Sequence, residues 1–283
     1  MPDIQKTLLA VLAHPDDETF GMGGTLALYA RQGVQVHLVC ATRGEVGEVD
    51  DKYMRDYASI ADLREAELRC AAGHLGLAGV HFLNYRDSGM AGSPENQHPQ
   101  ALAAQPIEAV AAAVTHYIRT LKPQVILTFD PIGGYRHPDH IAIHQATVLA
   151  FHAAGDPSQF PDGLPAWQPQ KLYYHTFPRG FLKLFVRLAP LVGKDPHKFG
   201  KNGDIDMASI AEVDFPVHAR INYYSVADLR DEATACHASQ GGTKSGGGLF
   251  GRIRRMWDSR DVFMRAFPEP DGHIEKDLFE GIS

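Results

Sequence analysis

Thr7-Leu-Leu-Ala-Val-Leu-Ala13 is apolar beyond its first residue and breaks at once into His14-Pro-Asp-Asp-Glu18. A continuous apolar run of this length reads as a β-strand covered on both faces, because a half-buried strand would alternate. The same pattern then recurs. Leu26, Leu28 and Tyr29 belong to a helix that stops at Gly33, a residue suited to a left-handed C-terminal position. Val34 to Cys40 is the next strand, Arg55 to Leu75 a long amphipathic helix, and Val80 to Leu83 a short strand. Ile107 to Leu121 is Ala-rich and helical, and Pro123 ends it. Gln124 to Phe129 is again a buried strand, followed by a helix from His140 to Phe151. Strand alternating with helix predicts an α/β chain, a Rossmann-like, mostly parallel sheet with helices on both faces.

Beyond Gly155 the pattern loosens. Asp156 to Pro169 is rich in Pro, Gly and Asp and reads as loop. Lys171 to Phe177 and Phe215 to Tyr223 read as strands, and Phe181 to Leu191 as a short apolar helix. Ser225 with Asp228 has capping-box spacing and opens a helix reaching about Ser239. Gly241 to Gly248 reads as a flexible surface loop in preference to a lid, and Arg252, Arg254 and Arg255 as a solvated charged face. No period of repeats interrupts the chain. A single domain over 1–283 is expected, with a Rossmann-like core at 1–155 and an additional C-terminal α+β portion at 156–283 packing on it.

The bulk numbers agree with an ordinary globular protein: 283 residues, 44% hydrophobic and 22% charged. Lys and Arg total 27 against 34 Asp and Glu, a formal net charge of −7, so nucleic acid is not an expected partner. No stretch approaches the ~20 apolar residues of a membrane span, and no signal-peptide pattern precedes the first strand. Cys40, Cys70 and Cys236 are far apart and form no C-x-x-C pair. They read as separate buried thiols in a reducing, cytoplasmic setting. The sequence is compatible with a homo-oligomer but carries no signal for one.

Chemistry concentrates in two similar turns, His14-Pro-Asp-Asp17 and His137-Pro-Asp-His140. Each follows a buried strand, and in each the Pro suits the first position of the next helix. Residues at the first and fourth positions would lie on one side of a helix start. Both turns are expected at the carboxyl ends of their strands, where open α/β sheets build sites. Together they would gather two or three imidazoles and two carboxylates. Zn²⁺ accepts such a set, using three protein ligands in a catalytic site. Spacing alone does not choose the three.

The segment Ala13-His-Pro-Asp-Asp-Glu18 resembles the signature of the LmbE-like (PIG-L) de-N-acetylases, which include the mycothiol- and bacillithiol-type deacetylases. The likeness extends through Thr42-Arg-Gly-Glu-Val-Gly-Glu48, Arg64 with Glu67, Arg86-Asp-Ser-Gly-Met90, Gly133-Gly-Tyr-Arg-His-Pro-Asp-His140 and Cys236-His-Ala-Ser-Gln240. Asp-Ser-Gly-Met and Gly-Gly-Tyr are closest to the mycothiol branch, and His-Ala-Ser-Gln to the bacillithiol and general branches. The resemblance implies hydrolysis of the N-acetyl amide of an N-acetylglucosamine-type substrate. It further implies one Zn²⁺ per chain on His14, Asp17 and His140, a mixed N/O site that Fe²⁺ or Co²⁺ could also use. Asp16 would be the general base, His137 and Tyr135 would act on the carbonyl oxygen, and Asp139 would orient His137. Arg64, Asp87, Glu48 and Met90 match positions lining a polar substrate pocket, and His237 would approach it from the C-terminal helix. His144, four residues after His140, is expected one helical turn away from the site.

Two rivals stand against this reading. An amidase acting on a thiol S-conjugate would share every catalytic residue. A Rossmann nucleotide-binding module would place its first strand, turn and helix similarly. However, Gly21-Met-Gly-Gly24 lacks the G-x-G-x-x-G spacing, with Leu26 where the third glycine belongs. Two acidic residues at that helix start would also repel a pyrophosphate.

Overall fold

The computed structural model describes residues 5–177, 179–198, 206–244 and 259–282. The opening apolar run forms β1 (Thr7–Leu12), every residue of it buried. There follow α1 (Asp17–Arg31), β2 (Gln35–Cys40), α2 (Ile60–Leu75), β3 (Gly79–Phe82), α3 (Ile107–Leu121) and β4 (Val125–Phe129). Next come α4 (Gly133–Arg136), α5 (Pro138–Ala153), β5 (Lys171–Thr176), α6 (Gly180–Leu188) and α7 (Met207–Ala211). The chain closes with β6 (Ala219–Asn222), α8 (Ala227–Cys236) and β7 (Arg260–Phe267). The glycine stretch beyond 244 and Arg252, Arg254 and Arg255 lie outside the described residues.

Among the described residues the strands form one sheet in the order β3-β2-β1-β4-β5-β7-β6. Neighbours from β3 to β5 run parallel, whereas β7 is antiparallel to β5 and β6 to β7. The chain crosses from β1 to β2 to β3 in one direction and returns through α3 to β4 in the other. Right-handed crossovers therefore place α1 and α2 on one face and α3 and α5 on the opposite face. Packing follows: α3 lies against α5, while α1, α2 and α8 lie against one another. The α3 residues Val110, Ala111, Val114 and Ile118 recur at helical spacing and are fully buried. The expected fold class is the observed one.

Several boundaries move for local reasons. The helix expected from Arg55 starts only at Ile60, because the Ser59 side chain caps it by accepting the Asp62 N–H. At α8 the expected cap does not form: Ser225 sits within a short 3₁₀ turn, Tyr224–Val226, and Val226 precedes the helix without a side-chain cap. Strand β7 had no counterpart in the sequence reading. Its buried Asp261 and Arg265 interrupt the apolar pattern that marks the other strands.

The cysteine reading is also corrected. Cys70 and Cys236, 166 residues apart in sequence, are joined in a disulfide, and only Cys40 is free and buried. The two meet because α8 packs along α2, a tertiary contact that sequence spacing does not carry.

Candidate metal centre

β1 and β4 lie side by side, and the chain leaves them toward opposite edges of the sheet. Their carboxyl ends therefore open the crevice of a topological switch point. His14 lies just past β1. Beyond β4, Gly133 adopts φ 65, and a Cβ there would lie 2.8 Å from the Cβ of His140. Glycine thus lets α4 fold closely over the start of α5.

The two turns are not equivalent. Pro138 is the first residue of α5 and His137 its N-cap, whose Nδ1 accepts the Asp139 N–H at 3.2 Å. Pro15, by contrast, lies outside α1, which begins only at Asp17, so the expected matching role of the two prolines is corrected. Asp16 precedes that helix at φ 124 and makes no side-chain cap bond. Such a φ is strained for a residue with a Cβ. It is held by Glu18, whose Oε2 accepts the Asp16 N–H at 3.0 Å.

Donor groups of three residues converge between the turns. His14 Nδ1 lies 3.2 Å from His140 Nε2 and 3.6 Å from Asp17 Oδ2, and His140 Nε2 lies 3.3 Å from Asp17 Oδ1. Ligands of a tetrahedral ion at bond lengths of ~2.0–2.1 Å are spaced about 3.3–3.4 Å apart. The spacing and the N/N/O donor set therefore fit one small divalent cation.

Surrounding groups fix these donors. The other ring nitrogen of His14 faces Asp139 Oδ2 at 3.1 Å and Asp87 Oδ1 at 3.6 Å. Asp139, fully buried, is bonded by the Ser88 N–H at 2.9 Å and by the Ser88 hydroxyl. Its backbone orients His137, whereas its carboxylate orients His14. His140 stacks on Phe129, ring centroids 3.9 Å apart and planes 13° from parallel.

The electrostatics ask for a positive charge. Burial opposes protonation of His14, yet Asp87, Asp139 and Asp17 hold its pKa well above the ordinary value. Asp17, despite burial, is held well below the carboxylate range by His140 and His14. Burial lowers His140 to about 4, and burial with the neighbouring imidazoles lowers His137 to about 3. His137 is thus neutral, with Nδ1 accepting from Asp139 N–H and its proton on Nε2.

Asp16 is raised to about 7 by burial, which outweighs the opposing Arg64 guanidinium. Arg64 donates to Asp16 Oδ2 at 3.0 Å, to the Pro15 carbonyl at 2.6 Å and to the Gly44 carbonyl at 3.2 Å. Gly44, at φ 68, leaves room for it: a Cβ there would meet the guanidinium at 2.1 Å. Arg64 is therefore engaged in positioning Asp16. An open cavity of about 400 Å³ lies above, its lining including His14, Asp16, Glu48, Arg64, Asp87, Met90, Tyr135, His137 and Gln240. Tyr135 is exposed on one side, and its ring lies 5.8 Å from that of His137.

The family model for GlcNAc-PI de-N-acetylase (PIG-L) matches residues 9–151, half of the chain and both turns. The chain belongs to the PIG-L family. A 1D-myo-inositol 2-acetamido-2-deoxy-alpha-D-glucopyranoside deacetylase of Geodermatophilus obscurus is 37% identical over 244 residues, covering 83% of each chain. The enzyme of that name from Thermobifida fusca is 38% identical over 244 residues, with the same coverage. Among solved structures, N,N'-diacetylchitobiose deacetylase of Pyrococcus horikoshii has a TM-score of 0.52 at 19% identity, covering 98% of this chain and 86% of that one. The 4-carboxy-2-hydroxymuconate hydratase of Pseudomonas putida has a TM-score of 0.60 at 20% identity, covering 94% and 98%. At such identities the likeness is one of fold, and the hydratase illustrates that this fold hosts more than one reaction.

Within this PIG-L chain, the remaining expected site residues separate. His237 is fully buried and does not line the cavity; its Nε2 meets Glu18 Oε1 at 2.8 Å. His144 turns away, its Nδ1 facing the Phe129 carbonyl at 2.8 Å. Sequence reasoning gave no role to Glu18 or Ser88, which hold Asp16 and Asp139 respectively. Both stood inside quoted motifs, but only the fold shows that they point inward. Glu67 likewise ties α2 to the C-terminal segment, accepting the Ser239 N–H at 2.8 Å and its hydroxyl at 2.7 Å.

Proposed function

We propose that the protein hydrolyses the N-acetyl amide of an N-acetylglucosamine unit linked to a polyol or a second sugar, with Zn²⁺ held by His14, Asp17 and His140. The observation that carries this reading is the set of distances, 3.2, 3.3 and 3.6 Å, linking His14 Nδ1, His140 Nε2 and the two carboxylate oxygens of Asp17, drawn from two turns beside a polar cavity. Kinship with the inositol-linked amino-sugar deacetylases supports the substrate class. When bound, the cation polarises the amide carbonyl and lowers the pKa of its water toward 7.

The chain's own groups complete the reaction. Asp16 lines the cavity next to the donor cluster and takes the proton of the attacking water as general base. His137 Nε2–H and the Tyr135 hydroxyl donate to the carbonyl oxygen as negative charge develops on it. Neutral His137 would become an imidazolate if it also protonated the departing amine. Asp16, protonated in the first step, is therefore the group that returns the proton. Asp87, Glu48 and Met90 border the space left for the sugar, and Asp87 can accept hydroxyl hydrogen bonds. A cytoplasmic setting belongs to the same proposal and requires the Cys70–Cys236 pair to be reduced there.

The test compares metal-loaded protein on N-acetylglucosaminyl-inositol, N-acetylglucosaminyl-malate, N,N'-diacetylchitobiose and a thiol S-conjugate, following release of acetate or free amine. Turnover of an N-acetylglucosaminyl conjugate is expected. Cleavage confined to the S-conjugate would assign the amidase instead, and inactivity on all four would refute the substrate class.

A further inference from the structure

Away from the cavity, Cys70, His74 and Cys236 each bring one ligand atom within 4.8 Å of the others. Cys70 and His74 are spaced i, i+4 and so share one face of α2, while Cys236 is the last residue of α8. Cys70 and His74 are exposed and Cys236 is half-buried, so reductants and ions reach them from solvent. Both helices end here, at Leu75 and Cys236.

We propose that Cys70, His74 and Cys236 form a second metal site, for a thiophilic divalent cation such as Zn²⁺, available only while the Cys70–Cys236 disulfide is reduced. In the oxidised chain the two sulfurs bond to each other and cannot coordinate. A dithiol reductant supplies two electrons and two protons, becoming a disulfide itself and leaving two protein thiols. The cation then displaces both thiol protons, binding as bis-thiolate with the imidazole of His74 as third ligand. Zn–S bonds of ~2.3 Å require the sulfurs to part to about 3.7 Å, within the reach of side-chain rotation once their bond is broken. In the reverse direction a small-molecule disulfide accepts the two electrons, its S–S bond breaking into two thiolates. The Cys70–Cys236 bond forms and the cation leaves. The site differs from the catalytic centre in donor chemistry, two sulfurs and one nitrogen against two nitrogens and one oxygen.

That difference supplies the test. Zinc-loaded protein, oxidised or reduced, is titrated with Co²⁺, and thiolate-to-cobalt charge-transfer absorption is recorded. The catalytic donors include no sulfur, so the band reports only the second site. One further Co²⁺ per chain with this band is expected in the reduced protein and none in the oxidised protein. Addition of a small disulfide should release the metal and lower the protein mass by two hydrogens. Cys236→Ser and Cys70→Ser should abolish the band. His74→Ala, at an exposed position that leaves the fold intact, should weaken binding at least tenfold. Absence of the band in reduced protein, its survival in the Cys70→Ser/Cys236→Ser double variant (which leaves Cys40 as the sole thiol), or unchanged affinity in His74→Ala would each overturn the proposal.

Discussion

The turns His14-Pro-Asp-Asp17 and His137-Pro-Asp-His140 begin with the same three residue types, and the chain uses them in opposite ways. In the first, the leading histidine joins the donor cluster and the third residue, Asp16, faces the cavity. In the second, the leading histidine lines the cavity and the third residue, Asp139, is buried behind His14. Only the fourth position serves both turns alike, as Asp17 and His140. Helix phase explains the exchange. α5 starts at the second residue of its turn, which makes His137 the cap, whereas α1 starts at the fourth and leaves Asp16 in strained backbone outside it. A motif's letters thus do not assign roles; the register of the following helix does.

Substitutions at matched positions break or sharpen this comparison. The largest effect is expected from Asp17→Ala: metal analysis should find the cation lost and amine release reduced by ~10³-fold or more, several kcal/mol of activation energy. Retained zinc would remove Asp17 from the donor set. Next come the third positions. Asp16→Asn should keep its metal and lose ~10²–10⁴-fold in kcat. Asp139→Asn should mainly weaken metal affinity, by about 10–100-fold, with most of the rate restored at saturating metal. Identical behaviour of the two would erase the distinction between the turns. At the first positions, His137→Ala should lower kcat by ~10²–10³-fold with metal content unchanged, whereas His14→Ala should lose the metal. The smallest effect concerns pH. Asp16 works ionised, so the rate falls as pH drops through its pKa. Arg64 favours the ionised form, and Arg64→Gln should therefore raise that pKa and move the acid limb of kcat/KM upward by about one unit or more. A limb that stays in place would show that another group sets it.

Much of this architecture is legible in the sequence because burial writes it there. β1 and β4 are covered on both faces and therefore read as unbroken apolar runs. Ile107–Leu121 shows its buried stripe at helical spacing, and its expected bounds are those observed. The two turns were legible as a site because His and Asp cluster after such strands, but spacing left the three donors open and only the family resemblance pointed to His14, Asp17 and His140. What stayed hidden depends on contacts between distant segments. β7 carries Asp261, which accepts both the N–H and hydroxyl of Thr25, and Arg265, which pairs with Glu275 at 2.7 Å. Those partners make its charges tolerable inside and disguise it as loop. His237 reaches Glu18 across 219 residues of chain, and Cys70 reaches Cys236 across 166. Neither pairing leaves a periodic trace.

Crystals grown with zinc and measured on both sides of its absorption edge test the central claim most directly. One anomalous peak is expected at ~2.0–2.2 Å from His14 Nδ1, an oxygen of Asp17 and His140 Nε2, with Asp16 and His137 outside bonding distance. A peak bonded to Asp16 or His137 in place of these donors, or a fully zinc-loaded chain with no peak between the two turns, would contradict it.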